Sequence, residues 1–389
     1  MTRTSLVETA EKVLPVLSDK AVKTDTQAAF PESGLQALRE SGLLGLLVPE
    51  EYGGLGGDLA DLVEIAGLLA SGCLSTAMIW AMHCQQSDAV VRFGSPELKA
   101  HLLTRIARGE VYLASVTTEP GNGGRLLTGK APLQHEDDLL TLHRDAPVVT
   151  GGRHADGFLI TMRASPEAPK SQVTLVYADR GQLDVVARGE WDTLGMRGTE
   201  SLGFEISGSV PAFQMVGDAG GFERIAVESM APLGHLAWAA CWLGAARGAL
   251  AGLVALMRSA DRPSSIDVRS ELVNERLARI RMDLELVSAY LHRVRDEVME
   301  LGAAGQSLGQ TPVQIHLNTL KVTAAELTFQ SVDRMVQLAG LRIGYNRQSP
   351  LPLERCLRDL RSASLNYSND RLLVVNGALT LMDRAVRLA

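Results

Sequence analysis

The spacing of apolar residues changes twice along this chain, and that change restricts the fold more than any other feature. From Thr4 to Leu69 apolar residues recur at three and four, as in Leu35 and Leu38 or Leu62, Ile65 and Leu69, the period of a helix with one buried face. Helical patterning continues through Leu62–Phe93 and stops at Gly94-Ser95-Pro96-Glu97, where Ser95 can cap and Pro96 can open the next helix. Between Val111 and about Pro211 the period is two, in short turn-bounded runs at Leu139–His143, Val148–Thr150, Phe158–Met162, Val173–Tyr177, Leu183–Val186 and Gly203–Ile206. After Phe222 the period is helical to the end, with long runs at about 225–258, 268–303, 311–340 and 353–386. The expectation is a mainly α chain with a central all-β domain: a helical domain at 1–110, a β-domain at 111–222 and a four-helix bundle at 223–389.

Composition narrows the function. With 389 residues, 46% of them hydrophobic, the chain is long enough for two or three packed units. The net charge of -7 is spread along the sequence, without a Lys/Arg cluster interleaved with aromatics, so no nucleic-acid partner is expected. Met230–Met257 is apolar enough to raise a membrane span, but Arg247 lies deep inside it, and Ala239, Gly244, Ala245 and Gly248 suit a helix packed on all sides. No membrane is expected. Cys73, Cys84, Cys241 and Cys356 lack CxxC spacing and read as reduced thiols, and Met1–Lys20 lacks the apolar core of a signal peptide; the expected location is cytoplasmic. The eight histidines show no metal-ligand spacing, and no metal is expected.

The stretch that promises chemistry is Val116-Thr117-Thr118-Glu119-Pro120-Gly121-Asn122-Gly123-Gly124. A β-branched run feeds a Glu-Pro turn and then three glycines within four residues, a strand ending in a loop whose backbone can approach a planar ligand. A second glycine-rich stretch, Leu46 to Asp58, fails the dinucleotide fingerprint, because counting from Gly54 puts Leu59 where the third glycine should be.

These stretches resemble the acyl-CoA dehydrogenase superfamily. The first matches its T-E-P-G-x-G loop, and Val48-Pro49-Glu50-Glu51-Tyr52-Gly53-Gly54-Leu55-Gly56 its N-terminal signature. Leu194-Gly195-Met196-Arg197-Gly198-Thr199-Glu200-Ser201 with Val210-Pro211 resembles the close of its β-domain. Val336 to Tyr345 resembles V-Q-x-x-G-G-x-G-Y, and Pro352-Leu353-Glu354-Arg355-Cys356-Leu357-Arg358-Asp359 matches P-x-E-R-x-x-R-D. The resemblance implies FAD between the three domains, homodimers or homotetramers sharing the cofactor site, and flavin contacts at Ser115, Thr117, Thr118, Gly121, Gly123, Gly124, Thr150, Gln337, Gly340 and Asn369. It further implies α,β-dehydrogenation of an acyl thioester on CoA or an acyl carrier protein, with electrons leaving through an electron-transfer flavoprotein.

The departures lie where that chemistry would occur. The flavin-facing W-I-T is replaced by Val148-Val149-Thr150, so a Trp is lost. The Glu of Y-E-G-T, eight residues beyond the Asp of R-x-x-R-D, is replaced by Tyr367, a phenol poorly suited to take a proton at neutral pH. A branch of the family places its Glu before an Arg at the start of the C-terminal domain, which here offers Glu223, with Glu228 as the runner-up. Five residues apart on a helix, they lie roughly 140° around from one another, so at most one faces a flavin. The R-x-x-F-G element is also absent, with Arg258 and Arg262 near its place. These losses leave two alternatives: a reduced-flavin-dependent monooxygenase served by a flavin reductase, and a non-redox or scaffold relative.

Overall fold

The computed structural model describes residues 3–122, 125–264 and 266–389. Five helices come first: α1 (Arg3–Gln27), α2 (Glu32–Glu40), α3 (Leu59–Gly72), α4 (Leu74–Phe93) and α5 (Pro96–Ala107). The glycine-rich stretch between α2 and α3 folds into short 3-10 turns at Leu43–Gly45 and Glu50–Tyr52, a connection between helices. Asp58 closes it. Its carboxylate accepts the N–H groups of Ala60 at 2.8 Å and Asp61 at 3.0 Å, and the Asp61 carboxylate accepts the Asp58 N–H at 2.9 Å, which satisfies the free donors at the start of α3. At α5 the Ser95 hydroxyl accepts the Leu98 N–H at 3.1 Å and Pro96 fills the first turn, as the sequence predicts.

The middle of the chain forms β1 (Leu113–Val116), β2 (Gln134–Glu136), β3 (Leu139–Val149), β4 (Gly157–Arg163), β5 (Val173–Asp179), β6 (Leu183–Arg188), β7 (Leu202–Pro211) and β8 (Met215–Val216). They make two four-stranded sheets, ordered β1-β4-β5-β8 and β2-β3-β7-β6. Val148 and Val149 form no strand of their own. They finish β3 after an irregularity between Ala146 and Val149 that slips its pairing with β7 and re-aims the strand end. β4 and β5 are buried on nearly every residue because α5 covers the outer face of their sheet through Leu98, Leu102, Leu103 and Ile106. Each such side chain contributes about 1.5–3 kcal/mol on leaving water.

The rest is helical. α6 (Phe222–Ile225) runs through a π turn at Ala226–Met230 into α7 (Ala231–Arg258), followed by α8 (Glu271–Ala303), α9 (Thr311–Gly340), a second π turn at Leu341–Tyr345, α10 (Leu353–Leu360) and α11 (Asn369–Thr380). Among the described residues Phe222–Arg258 is the one helical stretch long and apolar enough to cross a membrane, and half of its most apolar window is buried inside the protein. It packs against α3 so closely that a Cβ on Gly244 would stand 2.0 Å from the Gly67 carbonyl oxygen. The last run, expected as one helix over 353–386, is instead two helices separated by residues 361–368, within which Tyr367 takes φ +43°. That break makes room for the site.

Candidate active site

A cleft of about 660 Å³ lies between the β-domain, α4, α7 and the return from α10 to α11. Its size is that of a small-molecule site. The β-side wall starts where β1 ends. Ser115, Thr117 and Thr118 line it, and the Thr118 hydroxyl donates to the Val148 carbonyl at 2.8 Å while accepting the Val148 N–H at 3.3 Å, fastening the end of β1 to the end of β3. The Thr150 hydroxyl lies 3.0 Å from that of Ser201, which lies 2.8 Å from that of Thr199, so three hydroxyls form a chain along the cleft.

Glu119 is turned inward, behind this wall. Its carboxylate accepts the Lys130 and Ala131 N–H groups, each at 2.8 Å, and stands 2.8 Å from Nη1 of Arg144, whose side chain is only 1% exposed. Arg144 Nη2 donates in turn to the Thr118 carbonyl at 3.0 Å. The pair is neutral, hydrogen-bonded on several sides and buried, which makes removal of either partner costly.

The cleft floor joins two sequence motifs that lie more than a hundred residues apart. Asp359 accepts the Met196 N–H at 2.6 Å, while Trp191 Nε1 and the Thr199 hydroxyl both donate to the Met196 carbonyl, at 3.0 and 2.8 Å. Burial pushes the Asp359 carboxyl up to about 6. Gly195 must be glycine, since a Cβ there would stand 2.0 Å from the Arg358 carbonyl oxygen. Arg358 donates to the Leu194 carbonyl at 3.0 Å and to both carboxylate oxygens of Asp25, at 2.8 and 2.6 Å.

The helical wall carries Met78, Met82, Gln85, Trp238, Leu365 and Tyr367. Tyr367 stacks on Trp238 with centroids 5.1 Å apart, and burial pushes its phenol up to about 12. Three arginines, Arg358, Arg361 and Arg371, line the cleft, and among the described residues no Asp or Glu does. Arg358 is neutralised by Asp25 and Glu354.

The residues present fit a flavin. Among the described residues Trp238 Nε1 is buried without a hydrogen-bond partner at the cleft wall, an orphan donor that a bound group carrying acceptor atoms satisfies. The hydroxyl-lined β-side opposite an apolar, aromatic helical side suits a flat heteroaromatic ring with polar edges.

Family models for the acyl-CoA dehydrogenase N-terminal and C-terminal domains match residues 1–110 and 236–368. The chain belongs to the acyl-CoA dehydrogenase superfamily. It is similar to the mitochondrial very long-chain specific acyl-CoA dehydrogenase of Macaca fascicularis, 26% identical over 370 residues that cover 92% of this chain and 54% of the relative. It is also similar to a dibenzothiophene monooxygenase of Rhodococcus qingshengii, 26% identical over 251 residues, 62% of this chain and 60% of the relative. This chain thus spans about half the length of the curated relatives it matches. Among solved structures, FMN-bound TdsC from Paenibacillus sp. A11-2 superposes with a TM-score of 0.87 at 22% identity, covering 98% of each chain.

Within that superfamily fold the candidate residues separate. Ser115, Thr117, Thr118, Thr150 and Tyr367 come together in the cleft. Gly121 sits at φ +64° in the turn outside the lining, and Gly123 and Gly124 lie outside the described residues. Gln337 is exposed, donating to Asp333 at 2.7 Å, and Gly340 is exposed at the end of α9; neither lines the cleft of its own chain. Asn369 is buried behind the wall: its amide oxygen accepts from Lys321 at 2.7 Å and its amide nitrogen donates to Glu326 at 3.2 Å.

Neither glutamate reaches the cleft. Phe222 and Ile225 bury the inner face of α6, which turns Glu223 out to solvent. Glu228, in the π turn, spends its carboxylate on the Ser307 hydroxyl and on the Leu308 N–H at 3.1 Å. Arg258 and Arg262 are also outside the lining. His83 is a fastening group: its Nδ1 accepts the Leu113 N–H at 3.0 Å, which assigns the proton to Nε2, 2.9 Å from the Leu44 carbonyl, and burial brings it down to about 4. Sequence reasoning missed Trp191, Trp238, Arg144 and Lys321. Their spacing in the sequence carries no motif, and each owes its place to contacts between distant elements.

Proposed function

We propose that this protein is a reduced-flavin-dependent monooxygenase acting on an apolar, ring-sized substrate, with a flavin reductase as its electron source. One observation carries the reading: a cleft lined by hydroxyls, arginines, methionines and aromatics holds no carboxylate among the described residues. Removing an α-proton from a thioester requires a base whose pKa lies near neutrality. Tyr367, the one candidate that reaches the cleft, is pushed up to about 12 and stays protonated. The similarity to dibenzothiophene monooxygenases supports the same reading.

A bound flavin supplies two electrons to O2, of whose atoms one enters the substrate and the other leaves as water. The chain's own part is binding and exclusion. Ser115, Thr117 and Thr150 offer hydroxyls, and Trp238 Nε1 a free donor, to the polar edges of the ring system. Met78, Met82 and Trp191 give the cleft an apolar lining that excludes water from the reacting centre. FAD is the proposed flavin, and mass spectrometry of the released cofactor separates it from FMN.

A second reading, dehydrogenation of an acyl-CoA or acyl-carrier-protein thioester with an electron-transfer flavoprotein, is favoured by the very long-chain relative, whose alignment covers 92% of this chain against 62% for the monooxygenase. A homodimer or homotetramer is also proposed, because Leu341, Tyr345, Leu373 and Val374 expose apolar surface at the end of α9 and on α11, beside Gln337 and Gly340. Four buried free thiols are consistent with a reducing, cytoplasmic setting.

Anaerobic mixing of oxidised holoenzyme with a panel of acyl-CoA and acyl-carrier substrates tests the choice. The proposal expects the flavin band to persist with every one, and bleaching by any of them overturns it in favour of dehydrogenation.

A further inference from the structure

Lys321 lies in the middle of α9 with 0% of its surface exposed. Its ammonium donates to the Ala363 carbonyl at 3.0 Å, the Tyr367 carbonyl at 3.2 Å and Asn369 Oδ1 at 2.7 Å. Two of these oxygens belong to the return between α10 and α11 and the third to Asn369, the first residue of α11; Ser362, Leu365, Asn366, Tyr367 and Ser368 of the return line the helical side of the cleft. Lys321 Nζ also stands 5.7 Å from the Trp242 ring centroid; Trp242 leans on Trp238 at 6.5 Å, and Trp238 carries Tyr367.

Two features separate this lysine from ordinary packing. A buried ammonium is expensive to desolvate, and an apolar side chain would join two helices without that cost. The return it gathers is itself unfavourable, because Tyr367 holds a left-handed backbone conformation without being glycine.

We propose that Lys321 is a positioning residue for the cleft: by gathering two carbonyls of the return and the Asn369 amide oxygen that follows it, it holds Tyr367 against Trp238 and sets the helical wall against which a flavin binds. This rests on the reading of the cleft as the flavin site. The charged and titratable groups facing the ammonium are Glu326 on its own helix, His235 from α7 and Tyr367 from the return. Burial, with the charge of Lys321, holds His235 down to about 3, and burial holds Tyr367 up to about 12. Burial brings Lys321 itself to about 8, so the pin loses its charge as pH rises past that point.

The test uses the full chain stripped of flavin and titrated with FAD, and separately with FMN, at about pH 7 and about pH 9, following flavin fluorescence. Wild type is expected to bind roughly tenfold more weakly at the higher pH, the loss of a charged hydrogen-bonded pin. Lys321→Arg keeps its charge throughout and is expected to show a flat profile, whatever its affinity; Lys321→Met is expected to bind weakly at both values. The near-ultraviolet circular dichroism of flavin-free wild type should also shift with a midpoint near 8, and that of Lys321→Arg should not. The proposal is overturned by Lys321→Met binding like wild type, by Lys321→Arg falling with pH as wild type does, or by a wild-type affinity and aromatic signal that do not change. Should Lys321→Met fail to fold, the two pH profiles decide. Should wild type bind no flavin at either pH, the cleft reading itself fails, and the dichroism still decides for Lys321.

Discussion

The two walls of the cleft are held by opposite electrostatic means. The β-side is anchored by Glu119 and Arg144, a buried pair whose charges cancel and whose carboxylate also takes two backbone N–H groups. The helical side is anchored by Lys321, a buried cation bonded to two carbonyls and an amide oxygen, with no carboxylate in direct contact among the described residues. On the helical side, the ammonium, brought down by burial to about 8, makes the wall respond to pH. The difference teaches where a site of this fold is rigid and where it can yield.

The largest expected effect breaks the stronger anchor. Glu119→Leu strands Arg144 in the interior and is expected to cost about 3–5 kcal/mol in denaturant unfolding, whereas the double variant Glu119→Leu with Arg144→Met should recover most of it. If the double variant is as unstable as the single one, the pair is not what secures the β-side.

Acid sharpens the contrast on the helical side and the floor. His83 and His235 are held at about 4 and about 3, below the ordinary value near 6.5 of the unfolded chain. The unfolded state therefore binds more protons as pH falls from 6.5 towards 4, and stability is lost over that window. Asp359 opposes them. Its folded value of about 6 lies above the unfolded value near 3.9, so the native state holds the extra proton between pH 4 and 6 and this group's contribution falls as pH rises through that window. In thermal melts His292 and Asp179, also held low, add to the loss on acidification, while Asp88 and His316, held high, act with Asp359 against it. Asp359→Asn should remove the opposing slope, on the order of 2 kcal/mol, and so steepen the loss. Equal slopes for the two proteins would show that Asp359 is not protonated in the folded state.

The smallest effects fall on residues that only the sequence nominates as bases. Tyr367→Phe keeps the ring on Trp238 and removes a phenol that stays protonated, and Glu223→Gln alters an exposed side chain. Stopped-flow turnover of each is expected within about twofold of wild type, since neither removes a proton-accepting charge from the site. A loss of a hundredfold or more in either would restore that residue as a base.

Much of the fold could be read from the chain because periodicity reports which face of an element is buried. The β insertion, the Ser95 cap and the core character of α7 all follow from local pattern. The break between α10 and α11 could not be read, because 361–368 contains neither Gly nor Pro and its carbonyls find their partner in Lys321, more than forty residues earlier. Glu119 shows the same limit at the site. Its motif suggests a loop facing a ligand, and it is Arg144, reached across strands, that turns the carboxylate inward. The outward placement of Glu223 has a third cause: a Glu-Arg dipeptide at a helix start carries no information about which face Phe222 and Ile225 will bury.

The central proposal is that this cleft, with no carboxylate among the described residues that line it, delivers oxygen rather than removing hydrogen. The most direct measurement is turnover of the reduced holoenzyme under ¹⁸O2 with its reductase, followed by mass spectrometry of the product. One labelled oxygen atom per product molecule is expected; an unlabelled product carrying a new carbon–carbon double bond would contradict the account.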